Sequence, residues 1–171
     1  MTKQAPDYAE PVVGWRLWQL TKEKDVTRLA SLVHSAVWHP GAALVAECRC
    51  LHLRVWPFKA KRHEAPDVSC RCGIHATTAE AMHSYLPSHY GLSMTFPVFG
   101  RVAMWGEVHE YERGWRASHA YPQSLYVPIC GEPTPARLQA VEDLKRYGVP
   151  VYALAAPTAD AVIREARQQV A

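Results

Sequence analysis

The chain has 171 residues, 49% hydrophobic and 20% charged, an ordinary globular balance that excludes a disordered or low-complexity polypeptide. A formal net charge of +3 permits an acidic partner without demanding one. No stretch of about 18 apolar residues offers a membrane span, and Met1–Pro11 lacks the apolar run of an export signal, so a cytoplasmic protein without membrane contact is expected.

The length fits one domain, read as residues 12–171 behind a flexible tail at 1–11. Val12–Leu20 is β-branched and aromatic and predicts a strand. Thr21–Asp25 is a charged turn, and Leu29–Val37 reads as either a strand or a short helix, because a short apolar run cannot be typed by period. Ala42–Cys50 predicts a second strand, running into a long irregular segment, Leu51–Val68. Thr77-Thr78-Ala79-Glu80 has capping-box spacing and predicts a short helix ending before Pro87. Phe99–His109 alternates, with Val102, Met104, Gly106 and Val108 on one face and Arg101, Ala103, Trp105, Glu107 and His109 on the other. Glu112-Arg113-Gly114 is a turn, Trp115–Tyr121 alternates again, and together they predict a hairpin. Ser124–Ile129 reads as a further strand. Thr134-Pro135 starts a helix with Leu138, Val141 and Leu144 as its buried stripe, Gly148 stops it, Val149–Leu154 is a final strand, and Thr158 caps a last helix to about residue 169. The 13 prolines confine long helices to the end of the chain. The fold class expected is α+β: a mostly antiparallel sheet or open β-barrel with short helices, two of them near the C-terminus.

The most specific chemistry lies in residues 48–72, in Cys48-Arg49-Cys50, His63 and Cys70-Arg71-Cys72. Zinc favours four thiolate or imidazole ligands in a tetrahedron. Cys48, His63, Cys70 and Cys72 supply such a set, with Cys50, His52 and His75 as substitutes. The C-x-C spacing is a tighter chelate than the common C-x2-C pair. A structural zinc ion would clip the 48–72 loop to the body of the domain. The alternatives are reduced core cysteines, since free cysteine is often buried, and a disulfide, disfavoured in a chain with an odd cysteine count and no export signal. Cys130 is expected to stand apart from the set.

Cys48, His63-Glu64-Ala65-Pro66, Cys70-Arg71-Cys72-Gly73-Ile74 and Ala76, followed by Met104-Trp105-Gly106-Glu107-Val108, Gly114-Trp115-Arg116-Ala117, Ala120-Tyr121-Pro122, Leu125 and Tyr147-Gly148-Val149-Pro150-Val151, resemble a family of small bacterial proteins with no assigned activity. The resemblance spans roughly residues 14–152 and implies no functional residue. The chain departs from it at His75, where an aromatic is expected, and in a longer, more basic segment before His63.

Two further groups could bind a ligand. Arg49, Arg54, Lys59, Lys61, Arg62 and Arg71 surround the cysteines, with Trp56 and Phe58 among them. Cations contact phosphates and exposed aromatics stack on unpaired bases, whereas the plain reading is a solvated loop anchored by its aromatics. On the hairpin, Trp105, Glu107, His109, Arg116 and His119 gather near one another. A carboxylate beside an imidazole can do acid–base work, whereas alternation alone has Trp105 and Trp115 packed and Glu107 and His109 in water. The functional expectation is a zinc-stabilised, non-catalytic binding module that recognises nucleic acid or a nucleotide-like ligand through Trp56, Lys59, Lys61, Arg62 and the hairpin face. The alternatives are a small hydrolase or transferase with its pocket on the 101–121 hairpin, catalytic residues unknown, and a protein-interaction adaptor with tryptophan hot spots. No P-loop, dinucleotide fingerprint, nucleophile elbow or HExxH sequence is present.

Overall fold

The backbone order follows from which β-branched and aromatic runs find partners. The computed structural model describes residues 10–49, 63–82, 98–129, 134–154 and Arg164. Among them, β1 (Val12–Glu23) turns at Lys24–Asp25 into β2 (Val26–Ser31). Both turn residues have positive φ, 49° and 64°, the conformation that joins two twisted strands by a two-residue turn. The expected charged turn therefore shrinks to two residues, and Thr21–Glu23 continues the strand. The ambiguous run resolves as the end of β2, a turn and β3 (Val37–Trp38), paired Leu29↔Trp38 and Ala30↔Val37.

The centre of the sheet is the hairpin of β6 (Val98–Tyr111) and β7 (Gly114–Pro128), joined by Glu112–Arg113. Ser124–Pro128 is not a separate strand. A register shift between Arg101 and Val102 takes up the irregularity at Pro122 and Gln123, and β7 runs on to pair Phe99↔Tyr126. β1 lies along β6, while β5 (Ile74–Thr77) lies along β7 and meets β1 through Trp15↔Thr77. β8 (Val151–Leu154) joins β7 in parallel, and every other pairing is antiparallel. The architecture is α+β with a mostly antiparallel eight-stranded sheet.

The expected strand at 42–50 is reduced to β4 (Leu44–Val45) on Ala120 and His119 of β7. Ala46 N still donates to Ser118 O at 2.7 Å. Beyond it the chain leaves the sheet, carrying Cys48.

α1 (Ala79–Met82) is capped by Thr78, whose Oγ1 accepts from Ala81 N at 3.2 Å. The cap thus falls one residue later than the spacing from Thr77 predicts. α2 (Pro135–Leu144) starts at the Thr134 cap, tightens into a 3-10 turn at Lys145–Tyr147 and stops at Gly148, as expected. Its buried face keeps Leu144, with Val141 half-buried against the same core, and departs from the predicted stripe at one position. Leu138 is exposed, whereas Ala140, Asp143 and Leu144 are buried. Polar staples explain the rotation. Asp143 Oδ2 accepts from Thr27 N at 2.8 Å, and Tyr147 Oη accepts from Leu29 N at 3.0 Å while donating to Trp38 O at 2.6 Å. These bonds fix the helix on β2. The last predicted helix and the segment after Met82 lie outside the described residues, apart from Arg164.

Successive strand residues point to opposite faces, and both faces are covered. Trp18, Val98 and Leu125 join one cluster with Leu29, Trp38, Val102, Met104, Leu144 and Tyr147. Their neighbours Leu17, Phe99 and Tyr126 join another with Met82 and Leu154. No described helix is long and apolar enough to cross a membrane.

Candidate metal centre

Three separate stretches of the sequence meet where β4 and β5 both leave β7. Cys48 lies just past β4, and Cys70 and Cys72 just before β5. His63 arrives from the segment between. One ligand atom each from Cys48, His63, Cys70 and Cys72 lies within 4.8 Å of all the others. Cys48 Sγ and Cys70 Sγ are 3.8 Å apart, and His63 Nε2 is 3.3 Å from Cys72 Sγ. Metal–sulfur bonds of about 2.3 Å in a tetrahedron give sulfur–sulfur edges of about 3.8 Å. A disulfide would need about 2.05 Å. The set can therefore hold a metal ion, and its donors are those that borderline-soft cations prefer. Burial, a hydrogen bond with Cys70 and the nearby thiols push the Cys72 thiol up to about 12. A bound cation would reverse that preference, since a coordinating thiol gives up its proton.

The backbone of 65–73 forms a knuckle that sets the geometry. Asp67 Oδ1 accepts from Ser69 N at 2.8 Å and Ser69 Oγ at 2.5 Å, and Cys70 N donates to Asp67 O at 3.1 Å, closing a turn begun by aspartate. Those Ser69 bonds hold the Asp67 carboxyl below the usual range. Gly73 has φ of 117°, and a Cβ there would stand 3.0 Å from Pro66 Cβ and 3.3 Å from Arg116 Cβ. Both conformation and space thus require glycine between Cys72 and β5. Arg116 of β7 then fastens the knuckle, its Nη1 donating to Cys70 O and to Cys72 O, the latter at 3.2 Å.

The hairpin face beside the centre departs from simple alternation. Trp105 pairs with His119 and Val108 with Ala117, so Gly106 and Glu107 face Ser118 alone. This is a bulge with its glycine in the left-handed region, φ 76°. Ser118 Oγ accepts from Glu107 N at 3.0 Å and lies 2.8 Å from His119 Nδ1. The bulge reverses the expected burial of Trp105 and His109, while Glu107 faces water and Trp115 packs against the core as expected. Trp105 is 36% exposed and stacks on His119 with ring centroids 6.1 Å apart, whereas His109 is only 4% exposed. His109 Nε2 is 2.8 Å from Glu107 Oε1, and among the described residues its buried Nδ1 has no hydrogen-bond partner. His109 also pairs in register with Arg116, whose guanidinium lies 4.6 Å from the Tyr111 ring centroid.

The structure brings together Cys48, His63, Cys70 and Cys72, and separately Trp105 with His119 and Glu107 with His109. His75 stands apart, its Nε2 3.0 Å from Arg71 O, and burial with the nearby Arg16 and Arg116 charges lowers its basicity despite that bond. Trp56, Lys59, Lys61, Arg62, Cys50, His52 and Cys130 lie outside the described residues. Sequence reading missed Ser118 as the bulge partner and Asp67 as the turn former. Gly106 inside an alternating run was the available signal for the first, and Asp-x-Ser before Cys70 for the second. Comparison of the chain with protein-family models, curated proteins and solved structures gives no match.

Proposed function

We propose that this chain is a non-catalytic binding module whose recognition segment is held in place by a structural zinc ion. The observation that carries the reading is the convergence of Cys48, His63, Cys70 and Cys72 within 4.8 Å. Zinc suits the donors, and four protein ligands leave no open position for water, as a structural site requires. Cys48 and His63 bracket a stretch containing Arg49, Arg54, Lys59, Lys61 and Arg62 with Trp56 and Phe58. A metal joining those two ends would shorten the loop that the basic segment must order. The ligand class that suits cations interleaved with aromatics is nucleic acid or a nucleotide-like molecule, and the exposed Trp105–His119 stack offers a further planar surface on the neighbouring sheet. The test is binding of single-stranded RNA and DNA oligonucleotides to zinc-loaded protein across a salt series. Replacing Lys59, Lys61 and Arg62 by Ala should weaken binding and lower the salt slope by roughly one for each phosphate no longer neutralised. Parent protein that binds neither single- nor double-stranded nucleic acid at low salt contradicts the ligand class.

A second reading has one observation in its favour. The His109–Glu107 pair, with the imidazole buried and the carboxylate half-exposed, is the arrangement a small hydrolase or transferase would use for proton transfer.

A further inference from the structure

Arg116 is 7% exposed. Among the described residues its guanidinium meets two carbonyl oxygens, of Cys70 and Cys72, and the Tyr111 ring, and no carboxylate. A buried cation without a counter-charge is costly. Two acidic side chains of this region are engaged elsewhere, Asp67 with Ser69 and Glu107 with His109. Arg16, a second cation beside β5, donates to His75 O and to Ser31 Oγ at 3.1 Å and lies 5.3 Å from the Trp38 ring centroid, so it too meets no carboxylate among the described residues. The carbonyls that Arg116 holds belong to two of the four candidate ligands. Three thiolates and a neutral imidazole around a divalent cation leave one net negative charge at the spot these carbonyls flank.

We infer that Arg116 is the counter-cation of a metal–thiolate centre, offsetting the net negative charge that Cys48, Cys70 and Cys72 acquire when they bind a divalent ion with His63. The inference rests on the metal reading above and adds a partner that selects for anionic coordination. Arg116 acts through the ligands and is a positioning residue. Its Nη1 orients the two carbonyls, and its charge favours the thiolate-rich state over one with fewer thiolates. The buried cation thus has its partner only in the metal-bound protein, and the anionic centre has its compensation inside the fold.

The test measures zinc affinity of the full chain by competition with a chromophoric chelator, in the parent, Arg116→Gln and Arg116→Lys, each also in a Cys48→His background. Cys48→His leaves two thiolates and no net charge at the site. Arg116→Gln should weaken zinc by roughly 10–100-fold, as loss of an outer-sphere partner does, and Arg116→Lys should retain most of the affinity. The Arg116→Gln penalty should shrink several-fold in the Cys48→His background. Equal losses in Arg116→Gln and Arg116→Lys, or the same Arg116→Gln penalty in both backgrounds, would reduce Arg116 to a carbonyl clamp and overturn the inference. So would parent-like affinity in Arg116→Gln, leaving the metal centre standing. A parent that binds no zinc at all removes the centre itself. If Cys48→His does not fold by far-UV dichroism, the Gln-against-Lys comparison decides alone.

Discussion

Gly106→Ala is the sharpest perturbation of the bulge that aims Trp105 outward and buries His109. The residue has φ of 76°, and a Cβ built there would stand 2.3 Å from Ser118 Oγ and 2.8 Å from His119 Nδ1. The left-handed conformation costs an L-residue about 1–2 kcal/mol. Ser118 can swing aside, but then it gives up its bond from Glu107 N, worth about 0.5–1.5 kcal/mol. His119 must also shift from its stack on Trp105. The sum is a loss of about 2–4 kcal/mol. Urea unfolding at fixed excess zinc measures it, and the double variant with Ser118→Ala isolates the clash. Removing the hydroxyl takes away the nearest clashing atom, so the double variant should be more stable than the two single losses added together. A Gly106→Ala loss under about 0.5 kcal/mol, or strict additivity with Ser118→Ala, would mean that the bulge is not held as described.

Tyr147→Phe removes a hydroxyl that serves both Leu29 N and Trp38 O, and should cost about 1–3 kcal/mol by leaving buried backbone groups unpaired; a variant as stable as the parent in denaturant would refute that coupling of α2 to β2 and β3. Asp143 has its carboxyl held low by the bond from Thr27 N. Its contribution is therefore complete above the ordinary carboxylate range and fades as pH falls through the lower folded value. Asp143→Ala should accordingly show a smaller acid-induced fall in melting temperature than the parent, and an identical fall would falsify the linkage. His109→Ala, a surface change by alternation alone, should cost about 1–3 kcal/mol because the ring is buried, and a change within about 0.5 kcal/mol by thermal melt would contradict the burial.

The parts of the fold that were legible in the sequence are those with local causes. Thr134-Pro135 and Gly148 mark α2 through capping chemistry alone, and the Glu112–Arg113 hairpin follows from alternation and turn residues. The parts that were not legible depend on distant partners. Leu138 continues a helical stripe, yet Asp143 faces inward because Thr27, far away in sequence, supplies a donor. Ala42–Cys50 has strand composition, but among the described residues β7 pairs Leu44 and Val45 and takes one further bond from Ala46 N. The bulge had a signal in Gly106, though its consequence, the exchange of exposure between Trp105 and His109, follows from register against Ser118. At the candidate centre, donor types and rough spacing were readable at Cys48, His63, Cys70 and Cys72. Arg116 was legible as a cation of the hairpin cluster, but its place beside the centre was not, because its bonds to the Cys70 and Cys72 carbonyls depend on β7 lying beside β5.

Cys48, His63, Cys70 and Cys72 are proposed to form a structural zinc site. Elemental analysis of protein made with ample zinc and kept reduced tests it most directly, with Cys72→Ser and Cys130→Ser alongside. About one zinc per chain is expected in the parent and in Cys130→Ser, with a clear loss in Cys72→Ser and a fold that weakens when zinc is removed. A parent without zinc, or equal loss in both cysteine variants, would contradict it.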